Sequence, residues 1–270
     1  MKKTFIGLIV FLLVLGMVFA AKPNSVEKGN PNGKIVAIPA NAVEVSPGVF
    51  YLGKAIDNGR VVEGYAIIHK KDGNAKPSGV GGKKGTSTCY GFLANGAKWK
   101  TIEPYIVDPT NTRGLDTTFV TGNLAANIAK WETSAAKNIL GDESSGVVDI
   151  SNIGNLNGKN EVLFADIADS GAIAITIVWG YFSGPPSWRE LVEWDQVYDD
   201  VSFDWSATGE AAKMDFENIA THELGHSAGL GDLYTSECSQ ETMYGYASNG
   251  ETNKRDLNAG DIAGIRKLYG

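Results

Sequence analysis

The segment His222-Glu223-Leu224-Gly225-His226-Ser227-Ala228-Gly229-Leu230-Gly231-Asp232 constrains this chain more than any other. On a helix, residues four apart share a face, so the imidazoles of His222 and His226 can reach one cation. Glu223 follows the first of them about 100° round the helix, close enough to reach a water on that cation without displacing it. Gly229 can adopt positive φ and end the helix, and the chain can then return Asp232 as a third ligand. Two histidines and one carboxylate leave the fourth position of a tetrahedral zinc open, as in a catalytic site. The plainer reading of the two histidines alone is an ordinary amphipathic helix. The glycine and aspartate extension favours the metal.

The remainder of the chain sets the context. Lys2 and Lys3 precede an apolar run from Phe5 to Val18, and Val18-Phe19-Ala20 ends it with a small or aliphatic pattern. Residues 1–20 therefore read as a cleaved signal peptide, the run being short and wrongly flanked for a membrane span. An uncleaved anchor is the rival reading. The expected mature protein is secreted or extracytoplasmic, and soluble. Without Lys2 and Lys3 it holds 22 basic against 31 acidic side chains, a net charge of −9 that makes a poor nucleic-acid binder. The two cysteines, Cys89 and Cys238, suit an oxidising compartment, where an even count points to a bridge. The competing role for Cys89 is an inhibitory thiolate on the metal.

Residues 21–88 differ in character from the rest of the chain. Val49–Leu52 and Val61–Ile68 are strand-like runs around Asp57-Asn58-Gly59, a hairpin turn signal. His69 closes the second run, and a lone histidine at a strand end reads as a surface residue. Lys70–Thr88 is rich in Gly, Lys and Ser and reads as a linker open to proteolysis. Residues 22–88 carry 10 basic and 5 acidic side chains, and residues 89–270 carry 12 and 26. Opposite fields of this size favour docking of the small segment on the large one. Two readings stand level: a pro-segment covering an acidic cleft, and a permanent β-rich N-terminal segment.

From residue 89 the pattern is that of an α+β domain with a twisted sheet. Trp99–Val107 reads as a strand, and Thr121–Leu140 as an amphipathic helix with Leu124, Ile128, Trp131, Ala135 and Ile139 on one face. Glu161–Ile167, Ala172–Phe182 and Arg189–Tyr198 read as strands, with Val201–Trp205 extending the sheet. Asp215–Ala228 is the helix with the metal motif, and Asp261–Leu268 a closing helix capped by Asp261.

Together these residues resemble the metzincin clan of zinc endopeptidases, and within it the matrixin-like microbial branch. The resemblance rests on His222–Asp232, on Glu241-Thr242-Met243-Tyr244-Gly245, which is similar to the Met-turn beneath the metal, and on Asp261–Ile265 through Leu268–Gly270, similar to a matrixin ending. Trp99-Lys100, Tyr105 and the helix around Trp131 also resemble the start of that domain. The motif departs from the commonest form in ending with Asp232 rather than histidine. The chain has three histidines and the third, His69, lies in the N-terminal segment, so Asp232 is the natural third ligand. A gluzincin with Glu251 as that ligand is the rival and leaves Gly229, Asp232 and Met243 unexplained.

The resemblance implies a metzincin-like zinc peptidase domain over residues 89–270, with zinc on His222, His226 and Asp232 and Met243 in the Met-turn. The implied activity is that of a zinc metalloendopeptidase, in which Glu223 is the general base for a zinc-activated water. Matrixins usually add a structural zinc, for which this chain lacks histidines. Calcium is the second cofactor considered, through Asp149, Asp166, Asp169 and loop carbonyls, although scattered surface carboxylates are the plainer reading. Thr88-Cys89-Tyr90-Gly91 lacks the Pro-Arg-Cys-Gly setting of a matrixin inhibitory cysteine, which favours a Cys89–Cys238 disulfide. The expected partner is an extended peptide or protein paired with a sheet edge, taken as Ala172–Val178. Neither nucleic acid nor, after signal cleavage, membrane is expected, and the enzyme is taken as a monomer. The alternative from another class is a secreted non-catalytic binding protein with a structural zinc, closed by Cys238 as a fourth ligand.

Overall fold

A computed structural model describes Gly33, residues 35–71 and residues 89–270. The expected signal peptide and the linker from residue 72 to residue 88 lie outside these. Among the described residues, nine strands form one mixed sheet, and three α-helices pack on one face of it. The strands are β1 (Ile35–Val36), β2 (Val43–Ser46), β3 (Val49–Asp57), β4 (Arg60–Lys71), β5 (Gly91–Phe92) and β6 (Tyr105–Asp108). After helix α1 (Thr117–Ala135) come β7 (Asn160–Ile167), β8 (Ala172–Tyr181) and β9 (Glu190–Asp199). Short β10 (Trp205–Ser206) and β11 (Met214–Asp215) lead into α2 (Phe216–Ser227). The chain closes with β12 (Leu230–Gly231), β13 (Tyr246–Ala247) and α3 (Ala259–Tyr269).

The main sheet runs β1-β7-β9-β8-β4-β3-β2, with β6 beside β7 and β13 beside β4. Strands β6, β7 and β9 are parallel, whereas β8 is antiparallel to both of its neighbours, β9 and β4. Every residue of β8 is buried. Its apolar run is continuous rather than alternating because both faces are covered. On one face lie the helices, with Leu124, Ile128, Trp131, Phe216, Ile219 and Leu224. On the other, Ile150, Ile153 and Leu156 from the loop before β7 pack against Ile175, Ile177 and Trp179.

The α+β expectation agrees with this architecture, and several local expectations need correction. Ala172–Val178 is not a free edge, because β4 pairs with it from Glu63↔Gly180 to Lys70↔Ala172. Strand β6 starts at Tyr105 rather than Trp99, whose ring is instead anchored by its Nε1 donating to the Ser227 carbonyl at 2.8 Å. Helix α1 begins earlier than expected, with Asp116 capping the Phe119 amide at 2.9 Å, and stops at Ala135. Ala136 turns left-handed there, and Glu132 takes over as acceptor for the amides of Ile139 and Leu140. Val201–Trp205 does not extend the sheet; Trp205–Ser206 pairs only with Met214–Asp215. In α3 the cap is Asn258, and Asp261 is the third residue of a capping box.

Cys89 and Cys238 are joined as a disulfide. It ties the first residues of the C-terminal unit to the loop after the motif, next to the antiparallel pairing of β5 with β12.

Candidate metal centre

Helix α2 is fixed at both ends and along one side. Asp215 caps it through the Asn218 amide at 3.0 Å and is itself held by Arg255 at 2.6 Å. Trp131 of α1 donates its Nε1 to the Thr221 carbonyl at 2.9 Å, one residue before the first motif histidine. A Cβ on Gly225 would lie 2.2 Å from Met243 Sδ and 2.8 Å from the Trp131 ring, so the motif helix and the Met243 turn approach at glycine distance. Gly229 has φ +101° and reverses the chain after the helix, as its place in the motif suggests.

His222, His226 and Asp232 converge. The two Nε2 atoms are 3.1 Å apart, and Asp232 Oδ1 lies 3.2 Å from the first and 3.4 Å from the second. Each Nδ1 faces a carbonyl, Thr242 O at 2.7 Å and Leu230 O at 2.9 Å. A carbonyl only accepts, so each Nδ1 carries the proton and each Nε2 presents a lone pair to the centre. Asp232 Oδ1 is buried without a hydrogen-bond partner. Three donor atoms bunched this way repel unless a cation lies among them. Bonds of 2.0–2.1 Å to a tetrahedral zinc would space its ligands at about 3.3 Å, which matches the separations found. Without metal a proton takes that role. Burial holds His222 down at about 4, whereas Asp232 outweighs burial at His226 and lifts it to about 9. The Asp232 carboxyl is held well below its usual range by His226 and His222, against the opposing effect of burial.

Supporting contacts reach this group from distant parts of the chain. Asp261, in the first turn of α3, accepts from the amides of Thr242 at 2.8 Å and Met243 at 3.1 Å. The C-terminal helix thus fixes the turn whose Thr242 carbonyl orients His222. Tyr234 places its hydroxyl 3.1 Å from Asp232 Oδ2 and 2.9 Å from the Pro47 carbonyl, in the turn between β2 and β3. Lys254 is fully buried, with its ammonium against the Tyr246 carbonyl and 3.4 Å from Glu251. Glu251 is thereby engaged by Lys254 and, among the described residues, belongs to neither group with metal-ligand spacing, unlike a gluzincin ligand.

Glu223 is buried between two side chains of the sheet. Thr176 of β8 donates its hydroxyl to Oε2 at 2.6 Å, and His69 of β4 places Nδ1 2.9 Å from Oε1. Burial raises the Glu223 carboxyl to about 7, against the pull of His226. His69 corrects the sequence reading: it is 0% exposed, not a surface residue, and its ring lies 3.9 Å from that of His222, centre to centre. Its Nε2 is buried without a partner. Among the described residues, the groups with metal-ligand spacing are His222, His226 and Asp232, and His69, His222 and Glu223. Asp149, Asp166 and Asp169 do not form such a group. Asp149 is taken up by Ser151 and Asn152, and Asp169 by Lys70 at 3.1 Å.

The signal for His69 was available in the alternation of β4. Side chains of one strand alternate between faces, so His69 shares its face with Tyr65 and Ile67, both packed in the helix-side core. A histidine ending that row is a buried polar residue and calls for a partner. Thr176 is the one polar side chain in the run Ala172–Trp179 and could have been singled out on the same ground. Tyr234 and Lys254 had no comparable signal.

Parts of this chain are similar to known proteins. Residues 185–270 match the family described as Matrixin. Metalloendoproteinase 1-MMP of Arabidopsis thaliana is 44% identical over 71 residues, 26% of this chain and 18% of that protein. Matrilysin of Homo sapiens is 42% identical over 62 residues, 23% of this chain and 22% of its own length. Metalloendoproteinase 2-MMP of Arabidopsis thaliana is 30% identical over 169 residues, 62% of this chain and 40% of that protein. The chain thus spans less than half the length of these curated relatives. The matches and the mixed sheet with three helices support a metallopeptidase of the metzincin type.

Proposed function

We propose that this chain is a secreted zinc endopeptidase of the matrixin-like branch with aspartate as third ligand. The observation that carries the reading is the convergence of His222 Nε2, His226 Nε2 and Asp232 Oδ1 at 3.1–3.4 Å, with both Nδ1 atoms occupied by carbonyls. These three residues would hold zinc, which when bound supplies a Lewis acid and lowers the pKa of a water. Glu223 is the general base: its Oε1 takes the proton of the attacking water and passes it to the leaving amine. Thr176 holds Oε2 and His69 Nδ1 faces Oε1, so Oε1 is the oxygen that moves a proton once His69 has withdrawn from it. Asp232 brings a negative charge that a third imidazole would not. The metal is thereby less electrophilic and Glu223 carries more of the reaction. Met243 supports the ligand helix from below at Gly225.

On this reading residues 1–20 are the signal peptide, residues 21–88 a pro-segment and residues 89–270 the catalytic domain. Substrates are peptides or proteins bound in extended form. A structural zinc closed by Cys238 is disfavoured, because that cysteine is bonded to Cys89.

The test is the metal content of the secreted protein together with casein hydrolysis, with and without a chelator. One zinc per chain and chelator-sensitive hydrolysis support the proposal. A chain free of zinc, or a chelator with no effect on hydrolysis, overturns it.

A further inference from the structure

We infer that the β3–β4 hairpin is a self-supplied occupant of the substrate track, and that His69 is the residue with which it blocks the site. The inference rests on the peptidase reading above. It concerns how that site is kept closed.

The first ground is access. His222, Glu223 and His226 are each 0% exposed. A group that attacks a peptide bond must touch the peptide, so some element has to leave before reaction. The element over Glu223 is β4. Its C-terminal end lies between two strands, antiparallel to β8 through His69↔Ala174 and Lys70↔Ala172 and parallel to β13 through Lys70↔Tyr246 and Lys71↔Ala247. An extended peptide added to β8 as an extra strand would use the same backbone hydrogen bonds. With β4 removed, β8 is the exposed sheet edge expected from the sequence.

The second ground is the chemistry of His69. Its Nδ1 faces Glu223 Oε1, the oxygen that Thr176 leaves open, and its Nε2 is buried with no partner. A buried imidazole nitrogen with no hydrogen bond costs stability unless it meets a cation or a donor. An imidazole is also the commonest side-chain ligand of metals. His69 therefore occupies the general base, with its ring against that of the ligand His222 and an imidazole nitrogen to spare. This role needs no cysteine, in accord with Cys89 being committed to Cys238.

The third ground is the fit. Beside Asp232 a cavity of about 600 Å³ remains between Val45 of β2, Pro47 of the β2–β3 turn and Tyr65 of β4 on one side and Phe92 and Phe182 on the other. The groove is wider than the strand seated in it. Charge favours the seating: the N-terminal segment is net positive and the remainder strongly acidic, and Lys70 pairs with Asp169.

Two variants of the full chain test this, each compared with wild type. His69→Ala removes the blocking side chain. Gly64→Val acts away from the site, because a Cβ at Gly64 would lie 2.7 Å from the ring of Trp179, its partner across the β4–β8 pairing, and so weakens the seating of β4 on β8. Zinc content is measured first. Binding of acetohydroxamate, a small chelating probe, is then read from the visible spectrum of the cobalt-substituted proteins, and casein hydrolysis is followed in parallel. The expected result is one metal per chain throughout, with the probe binding both variants at least about tenfold more tightly than wild type and hydrolysis rising with it. If the variants that keep their metal bind the probe no better than wild type, the hairpin is a permanent wall and the inference is overturned. Absence of zinc from all three proteins instead removes the peptidase reading, and the inference falls with it.

Discussion

His69 Nδ1 lies 2.9 Å from Glu223 Oε1, across 154 residues of chain. The contact joins the N-terminal hairpin to the motif helix at the atom where proton transfer is proposed. It has two consequences. Glu223 is held between a sheet hydroxyl and a sheet imidazole, and the site is sealed as long as β4 stays in place.

Glu223→Ala should keep zinc and lose hydrolysis by about 10²–10⁴-fold, the range expected for a general base. Zinc content and kcat measured on the same preparation check this. Retained turnover at full zinc occupancy would remove the base assignment.

Thr176→Val conserves shape and removes the donor to Glu223 Oε2. A buried carboxylate that loses a hydrogen bond of this kind is destabilised by about 1–3 kcal/mol. The carboxylate then turns more freely, and kcat should fall by about tenfold or more with zinc content unchanged. The measurement is kcat against KM, since a merely structural role for Thr176 would lower the yield of folded protein and leave kcat alone.

Gly225→Ala places a methyl where Met243 Sδ and the Trp131 ring already lie. Overpacking of this sort costs about 1–3 kcal/mol. Thermal unfolding should show a lowered Tm for Gly225→Ala, and Met243→Ala in the same chain should recover part of the loss.

A pH effect on stability arises away from the metal. Glu193, buried on β9 beside Asp195 and Glu161, accepts from the amides of Asn157 and Gly158 in the loop over the sheet. Burial raises its carboxyl from an ordinary 4.5 to about 7, against the backbone hydrogen bonds. A carboxyl raised on folding favours the native state fully below its unfolded pKa, and that contribution is lost as pH rises through the folded value. Between about pH 4.5 and pH 7 the wild type should lose on the order of 3 kcal/mol at this site. Glu193→Gln keeps an uncharged side chain throughout. The difference in Tm between the two proteins should therefore shift in favour of the variant as pH rises. A difference independent of pH contradicts the assignment.

Much of the centre was legible because its parts are local. His222, Glu223, His226, Gly229 and Asp232 lie within eleven residues, and helix periodicity with one glycine reversal is enough to bring them together. The Cys89–Cys238 bridge followed from the count of cysteines and the wrong setting for an inhibitory thiol. The contacts that were missed are long-range. Nothing near His69 announces that β4 will lie beside β8, and the change of charge at residue 88 says nothing of which strand the N-terminal segment pairs with. Asp261 was read as a helix cap, which it partly is. Its second role, holding the Thr242–Met243 turn, depends on where α3 packs, and that is decided by tertiary contacts rather than by local pattern.

The most direct test of the proposed centre is zinc retained per chain after dialysis against a chelator, in wild type and Asp232→Ala. Losing one of three protein ligands should weaken zinc binding by several orders of magnitude. The account predicts about one zinc in wild type and close to none in Asp232→Ala, at unchanged folding by circular dichroism. Equal zinc in the two proteins would contradict Asp232 as the third ligand, and with it the proposed centre.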